Sequence, residues 1–367
     1  MFLTFLLIVV ILFFFNCKKQ EVLVIVNSKP RYDGKKYIKL EKQFSIDVTE
    51  INLFTKRGDY YGCYDFDSKD NLYILDTFEG TISVYDKNGE LISKFGGLGQ
   101  GPNEFLSPNL MLIKKDKIYV MDGFFDLKVL NLQGQVIKKY NIQIFWENPV
   151  RWEAVSDRFY LLKCKVDLRT FNKLELILNG ELDDRFSGGK ELWRYKYPYG
   201  FKGYPCWEWL LILDSGEFFF PEDNHNKYLI TKYDKKGKPL LKFGRKYKKR
   251  KYSKQAIERF YSIYKKEIEQ GRKKVIKEPP IVRTMFQDFK KNIWVVYGET
   301  YEDNMNPDFE NSVDIFNEKG EWLYSFKTKK ISKNIFYNNG KIYKVSPIRV
   351  GDYRQFIEVY KIKYLLD

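Results

Sequence analysis

One short phrase recurs six times along the chain, and this repetition constrains the fold more than any other feature of the sequence. The phrase joins a turn, an apolar run, a polar turn, a second apolar run and a turn with glycine, as in DSKDNLYILDTFEGTISVYDKNGELISKFG. This alternation of apolar runs and turn signals is typical of a meander of β-strands. The copies are marked by the apolar pairs Leu72-Tyr73, Ile118-Tyr119, Phe159-Tyr160, Phe218-Phe219, Ile293-Trp294 and Ile342-Tyr343.

The spacing of the copies predicts how these meanders assemble. Successive copies are 46, 41, 59, 75 and 49 residues apart. Periods of about 40 to 50 residues with four short strands each are typical of propeller blades, and the two longer intervals indicate insertions. Because one blade cannot bury both faces of its sheet, neighbouring blades must pack together in a ring. The sequence therefore predicts an all-β fold, a six-bladed β-propeller of four-stranded blades.

The first copy resembles the NHL-type propeller repeat. The residues that match the pattern of that repeat are Asp67, Asn71, Leu72, Tyr73, Asp76, Tyr85, Asp86 and Gly89. The segment FGGLGQGPNEF at positions 95–105 is similar to a segment of bacterial six-bladed propeller lipoproteins related to NHL proteins. This resemblance implies the propeller fold and leaves the function open, because the family as a whole has no shared chemistry.

The glycine-rich segment 95–105 raises the question of phosphate binding. A Walker A loop ends in Gly-Lys-Ser/Thr, whereas here Gly101 is followed by Pro102 and Asn103. A dinucleotide-binding loop needs a strand before it and a helix after it, and this region is strand meander throughout. We therefore interpret the segment as a crossover between blades, in which the glycines permit positive φ angles.

The first seventeen residues, MFLTFLLIVVILFFFNC, indicate export from the cytoplasm. The apolar run is short for a bilayer span and suits a signal peptide. Cys17 follows it in a position that resembles the lipobox of bacterial lipoproteins, although Asn16 and the lack of a basic residue before the run depart from that pattern. The alternative is an uncleaved N-terminal anchor. We predict a signal peptide over 1–17, a lipid on Cys17, a tether over 18–40 and a propeller over 41–367, located in the bacterial cell envelope.

The positive charge of the chain is concentrated in one segment. The formal net charge is +16, and residues 242–278 carry 15 Lys and Arg against 4 Asp and Glu. Within this segment, apolar residues at helical spacing predict an inserted basic amphipathic helix at about 253–270, capped by Ser253, inside an insertion at about 245–278. The candidate residues for binding an anionic surface are Arg245, Lys246, Lys248, Lys249, Arg250 and Lys251.

Two interpretations of this basic helix stay open. Its lysines could contact anionic lipid or an acidic polymer, or its apolar stripe could pack on the propeller while the lysines are only solvated; the second is favoured. Export argues against nucleic acid as the partner.

A second candidate site is the aromatic stretch ELWRYKYPYGFKGYPCWEWLL at positions 191–211. Exposed rings at this density could stack on sugars or hold an extended peptide, whereas buried rings would form an edge strand and core between blades; the second interpretation is favoured. The candidate ligand-binding aromatics are Trp193, Tyr195, Tyr197, Tyr199, Trp207 and Trp209.

Two kinds of metal site can be excluded from the sequence. His225 is the only histidine, so a site that needs several imidazoles is excluded, and we expect His225 itself to lie on the surface in a polar turn. The polar stretch at 301–314 contains Asn304, Asn306 and Asp308 but lacks the glycine and the glutamate of an EF-hand loop, so we expect a solvated hairpin there.

Two functions from different classes remain. The favoured hypothesis is a lipid-anchored, non-catalytic binding or scaffold protein for a peptide, a glycan or an envelope protein, with no cofactor. The alternative is a calcium-dependent hydrolase, similar to propeller lactonases and esterases, with carboxylates and carboxamides at the central channel. No catalytic residue is assigned from the sequence.

Overall fold

The computed structural model describes residues 22–51, 63–123, 126–141, 149–155, 158–166, 174–182, 190–197, 209–263, 265–270, 277–298, 309–332, 334–346 and 354–365. The structure is built almost entirely of β-strands. The N-terminal part contains β1 (Leu23–Asn27), β2 (Tyr32–Asp33), the helix α1 (Gly34–Tyr37) and β3 (Ile38–Asp47). Cys17 lies outside the described residues.

Five antiparallel meanders of four strands each and one of three follow along the chain. Sheet 1 contains β4 (Tyr64–Phe66), β5 (Leu72–Asp76), β6 (Thr81–Tyr85) and β7 (Leu91–Gly96). Sheet 2 contains β8 (Pro108–Lys114), β9 (Lys117–Asp122), β10 (Asp126–Asn131) and β11 (Val136–Asn141). Sheet 3 contains β12 (Pro149–Val155), β13 (Arg158–Val166), β14 (Leu174–Leu182) and β15 (Lys190–Tyr197).

Sheet 4 contains β16 (Leu211–Ile212), β17 (Phe218–Phe220), β18 (Leu229–Tyr233) and β19 (Pro239–Arg245). The helices α2 (Lys254–Ile263) and α3 (Lys265–Glu269) come next. Sheet 5 contains β20 (Val282–Gln287), β21 (Ile293–Tyr297), β22 (Asn311–Phe316) and β23 (Trp322–Thr328), and sheet 6 contains β24 (Ile335–Asn338), β25 (Lys341–Val345) and β26 (Phe356–Tyr364).

The N-terminal strands complete the sheets at the other end of the chain. β3 pairs antiparallel with β26 and supplies the fourth strand of sheet 6. β1 pairs in parallel with β19, and β2 pairs in parallel with β23, so sheets 4 and 5 each gain a fifth strand. The predicted tether over 18–40 is therefore wrong for residues 23–27 and 32–40, which are ordered as strands and α1. The repeats could not show this, because these strands lie outside the repeated phrase.

Clusters of buried apolar side chains join each sheet to the next. The described residues form six such clusters, and each one spans two neighbouring sheets. The cluster that contains Leu72 of sheet 1 and Tyr343 of sheet 6 links the last sheet to the first. Tyr64 of β4 also stacks on Phe336 of β24, with ring centroids 3.7 Å apart. Both faces of each sheet are thus covered by its neighbours, as the repeated aromatic positions require.

The two ends of the strands carry different kinds of connection. In a four-strand meander, the links after strands one and three lie at one end, and those after strands two and four at the other. We call the first end the turn face and the second the loop face. The loop face carries segment 97–107, which includes most of the glycine-rich segment 95–105, and the long segment 246–281. The turn face carries short turns.

The repeated Asp/Asn-x-x-Gly phrase forms the same turn in four sheets. In each, the Oδ1 atom of the first residue accepts hydrogen bonds from the backbone N–H groups two and four residues later. The fourth residue is a glycine with φ between 80° and 88°. These turns begin at Asp86, Asn131, Asp234 and Asn317. The side-chain acceptor and the glycine explain why this phrase recurs.

Candidate functional site

The basic segment, which we define as residues 245–251, leaves sheet 4 at the end of β19. Its first residue, Arg245, directs its side chain inward, where Nε lies 2.7 Å from Oδ2 of Asp314 on β22. The side chain of Arg245 is 14% exposed and that of Asp314 is 0% exposed. Arg245 is therefore a link between sheets 4 and 5, and the prediction that it binds an anionic surface is wrong. Asp314, expected in a solvated hairpin, lies in the core.

Aromatic rings enclose the Arg245 guanidinium. Its carbon lies 4.7 Å from the ring centroids of Tyr297 and Trp322, and 5.0 Å from that of Tyr228. Cation–π contacts of this kind stabilise a charge by about 0.5–2 kcal/mol, more where water is excluded. Burial raises the pKa of Asp314, and the adjacent guanidinium opposes that rise. The start of the basic segment is thus held in place by the buried side chain of Arg245.

A second arginine fixes the other end of the basic segment. Arg250 donates from Nη1 to the carbonyl oxygen of Gly298 at 2.6 Å and lies over the ring of Phe309. Lys249 donates from Nζ to Oδ1 of Asn226 at 2.7 Å. The remaining predicted residues, Lys246, Lys248 and Lys251, are exposed, as is Lys249. The segment therefore presents four exposed lysines, three between the two anchored arginines and Lys251 directly after the second.

The helical insertion is closed at its base by backbone and side-chain contacts. Tyr252 donates its backbone N–H to the carbonyl oxygen of Lys277 at 2.9 Å, which brings the two ends of the insertion together. His225 is 4% exposed, and its Nδ1 lies 3.1 Å from the carbonyl oxygen of Glu278. The expectation that His225 lies on the surface is wrong, because its polar turn supports the returning chain.

The inserted helices carry their apolar residues on a partly covered side. Ser253 caps α2 by accepting the backbone N–H of Ala256 at 3.0 Å. Ile257, Phe260 and Ile268 of the predicted stripe are half-buried. Tyr264 and Gly271 lie outside the described residues. The described residues on either side of Tyr264, Lys254–Ile263 and Lys265–Glu269, are helical and lie within the predicted span of about 253–270.

The described part of the aromatic stretch packs between sheets 3 and 4. Trp193 and Trp209 are 7% and 2% exposed and belong to one core cluster, so both are core residues, as the favoured interpretation had it, and their candidacy as exposed ligand-binding rings is wrong. Tyr195 is half-buried, is parallel to the ring of Trp193 and accepts the backbone N–H of Asp223 at 3.0 Å. Tyr199, Trp207 and the side chain of Tyr197 lie outside what the structure describes. The burial follows from the long interval between copies three and four, which brings this stretch to the sheet interface.

The glycine-rich segment folds back on itself after β7. Phe105 donates its backbone N–H to the carbonyl of Gly97 at 2.8 Å, and Gly101 donates to Oε2 of Glu104 at 2.8 Å. Lys128 of sheet 2 donates to the Glu104 carbonyl at 2.6 Å and pairs with Asp122 at 2.6 Å. These backbone N–H groups are thus used within the segment, and Lys128 joins it to sheet 2, as expected of a crossover between blades.

The described residues contain neither a cluster of metal ligands nor a membrane-spanning helix. Among the described residues, no group of three or more His, Cys, Asp or Glu side chains is placed to hold a metal ion. Asn304, Asn306 and Asp308 lie outside these residues. None of the described helices has the length and apolar character needed to cross a membrane.

Known proteins share this architecture. Residues 17–154 match a family model, DUF5128, described as a 6-bladed beta-propeller. The fold is an all-β propeller. A member of the DUF4221 family from Bacteroides vulgatus is 14% identical with a TM-score of 0.50, over 89% of this chain and 99% of its own. A predicted exported protein of Bacteroides fragilis is 9% identical with a TM-score of 0.52, over 94% and 99%. No curated protein shows significant similarity to the chain.

Proposed function

We propose that the protein is a non-catalytic binding or scaffold protein, anchored outside the cytoplasm by a lipid on Cys17 and held to an anionic membrane by the basic segment. The ring of sheets then presents its remaining surface to a peptide, a glycan or an envelope protein. The observation that carries the proposal is the set of four exposed lysines in the basic segment, three of them between the anchored Arg245 and Arg250 and the fourth directly after Arg250. The predicted export of the Bacteroides fragilis protein with the same fold supports an extracytoplasmic location.

The path of the N-terminus supports this arrangement. Leu23 is six residues after Cys17, and a chain of that length spans at most about 20 Å. Leu23 pairs with Leu241 and Asn27 pairs with Arg245, so β1 enters beside the turn-face part of β19 and runs along the edge of sheet 4 to the start of the basic segment. Leu23, Val24 and Val26 are each more than half exposed. A membrane that holds both the lipid on Cys17 and the loop-face lysines would therefore lie along this edge of sheet 4, against the exposed apolar side chains of β1.

The energetics favour such a combined contact. A single acyl chain binds a membrane weakly and reversibly, and a polybasic patch is a second attachment that makes binding firm. Each lysine near an anionic surface contributes about 1 kcal/mol. Four lysines are then equivalent to roughly two to three orders of magnitude in membrane affinity, an effect that salt should weaken.

The test is co-sedimentation of the chain without residues 1–17, which lacks both the apolar run and the lipid, with vesicles of neutral lipid or of neutral plus anionic lipid. We expect binding to anionic vesicles only, and a loss of about 100-fold or more when Lys246, Lys248, Lys249 and Lys251 are changed to Gln. The matched control changes four exposed turn-face lysines to Gln, namely Lys87, Lys235, Lys236 and Lys319. Equal losses in the two variants would show a general charge effect and contradict the assignment to the basic segment.

The lipid itself is tested separately by the mass of the purified N-terminal peptide. An acylated cysteine at position 17 is expected, and an unmodified or uncleaved N-terminus would remove the lipid anchor from the proposal. The calcium-dependent hydrolase remains the alternative function, and no contact among the described residues favours it.

A further inference from the structure

Arg283 is a buried arginine on β20, the first strand of sheet 5. Only 6% of its surface is exposed. β20 lies beside β16 and β24, the first strands of the two adjacent sheets. The first strands of a propeller surround its axis, and the fourth strands form the rim. Arg283 is the second residue of β20 and therefore lies near the loop face, at the inner part of the ring.

The backbone at Arg283 is held in an irregular conformation. The pairing of β20 with β21 shifts between Val282 and Thr284, which leaves Arg283 as the extra residue of a bulge. Asn224, itself fully buried, accepts the N–H of Val282 at 2.7 Å and donates to its carbonyl oxygen at 2.9 Å. Bulges redirect a side chain and occur frequently beside binding sites. The sequence places an arginine at this fixed position, inside the apolar run IVRTMF.

The charge of Arg283 has no counterpart in the described part of the chain. Its Nε is buried, and no acceptor among the described residues takes a hydrogen bond from it. Arg245 shows what a compensated arginine looks like in the same protein, since it has the Asp314 carboxylate and several ring faces around it. A guanidinium stays protonated in proteins, and a buried charge without a partner is costly. A group that balanced this charge would be an anion.

We propose that Arg283 binds an oxyanion, either a carboxylate or a phosphate group, at the loop-face end of the ring interior. The planar guanidinium offers parallel N–H donors that match two oxygens of such a group. The group would belong to a small anion or to the acidic end of a larger ligand, and the chemistry of recognition is the same. This site is separate from the basic segment and from the lipid anchor, so it holds whether or not the protein binds a membrane through them.

The experiment measures the melting temperature of the full chain in detergent while phosphate, acetate or citrate replaces chloride at constant ionic strength. A ligand at 100 times its Kd should raise the melting temperature of a chain of this length by about 3 °C. The rise must saturate with concentration, because phosphate also stabilises proteins in general by exclusion from their surface. Whether phosphate or the carboxylates give the tighter response identifies the source of the oxyanion.

The decisive variant is Arg283→Met, which keeps the length of the side chain and removes its charge. We expect a melting temperature in chloride equal to or above that of the unaltered chain, and no saturable response to any oxyanion. Arg283→Lys should retain a weaker response, and Lys248→Met, the matched loss of one exposed charge, should respond like the unaltered chain.

Three results would overturn the proposal. The first is the absence of a saturable response in the unaltered chain. The second is the same response in Arg283→Met, which would show a general salt effect. The third is a strongly destabilised or unfolded Arg283→Met, because that would show that the guanidinium already has a stabilising partner within the protein.

Discussion

The turn face and the loop face are built from the same strands but follow different rules. On the turn face, four sheets use one turn, with a side-chain acceptor at the first position and a glycine at the fourth. On the loop face, each connection has its own length and its own contacts. Segment 97–107 is pinned by Lys128, and segment 246–281 is pinned by Arg245, Arg250 and the turn that contains His225.

The turn-face connections repeat from sheet to sheet, whereas the loop-face connections differ from one sheet to the next. The turn-face motif is local, because all its hydrogen bonds lie within five residues. The loop-face anchors join residues that are far apart in sequence, such as Arg245 and Asp314. The loop face also carries the basic segment and lies near Arg283, which fits the general tendency of loops on a rigid scaffold to carry function.

The largest expected effect comes from breaking the loop-face anchor. Arg245→Met should lower the free energy of unfolding by about 3–5 kcal/mol, because it leaves the Asp314 carboxylate buried without its partner. Chemical denaturation at pH 7 measures this loss. The loss of unfolding free energy in Arg245→Met should become smaller as the pH falls, because the protonated Asp314 carboxyl is buried without a partner at a lower cost in free energy than the carboxylate.

A double variant controls for the loss of packing at this anchor. Arg245→Met combined with Asp314→Leu should recover most of the stability, because both charges are then removed. A double variant as unstable as Arg245→Met alone would mean that the ring contacts, rather than the ion pair, hold the segment.

A turn-face glycine gives the next largest effect. A Cβ on Gly237 would lie 1.9 Å from the carbonyl oxygen of Leu192 in the preceding sheet, and its φ is +80°. Gly237→Ala should therefore cost about 2–5 kcal/mol through strain and overlap. Gly340 is the matched control, since its φ is +79° but its Cβ would be 3.7 Å from the nearest atom.

The comparison of the two glycines separates backbone strain from contact between sheets. Gly340→Ala should cost only about 1–2 kcal/mol, the penalty of the left-handed conformation. If the two variants were equally stable in denaturation experiments, the turns would not be packing elements and the turn face would be only a set of local links.

The smallest expected effect is a pH dependence of one repeated turn. Hydrogen bonds from backbone N–H groups, with that of Glu90 first, lower the pKa of Asp86 below its usual 3.8. A carboxyl with a lowered pKa in the folded state stabilises the protein above its unfolded pKa and loses this contribution as the pH falls. Asp86→Asn removes the titration but keeps the acceptor that Asn131 and Asn317 use in the same turn.

The measurement is the difference in unfolding free energy between the unaltered chain and Asp86→Asn across pH 2 to 7. We expect a constant difference above about pH 4 that falls below it, in the direction of relative destabilisation of the unaltered chain. A difference that does not change with pH would show that the carboxylate of Asp86 is not the acceptor that holds the turn.

Much of the fold could be predicted from the repeats, and much less of the candidate site. The six copies of the phrase correspond to the six sheets, because strands and tight turns depend on local alternation and on glycine. The role of β1, β2 and β3 could not be predicted, since pairing with β19, β23 and β26 connects the two ends of the chain. Trp193 and Trp209 were candidates for a ligand, but their burial depends on the neighbouring sheet.

The two buried arginines show the same limit in the site. Arg245 was grouped with exposed lysines because it precedes them in sequence, and its partner Asp314 is 69 residues away. Arg283 and Asp314 each stand as a single charge inside an apolar strand, and this signal could have marked them for attention. The signal alone would not have shown that one is paired and the other has no acceptor for its Nε among the described residues.

The sequence by itself determined the number of repeats, the turns that begin at Asp86, Asn131, Asp234 and Asn317, and the concentration of charge in residues 242–278. Each of these depends on residues close together in the chain. Only the tertiary structure decided which side chains are buried, because burial results from two sheets that meet across long sequence distances. For the same reason it decided that Arg245 is an anchor, that His225 supports the insertion, and that Arg283 lies enclosed without a described counter-charge.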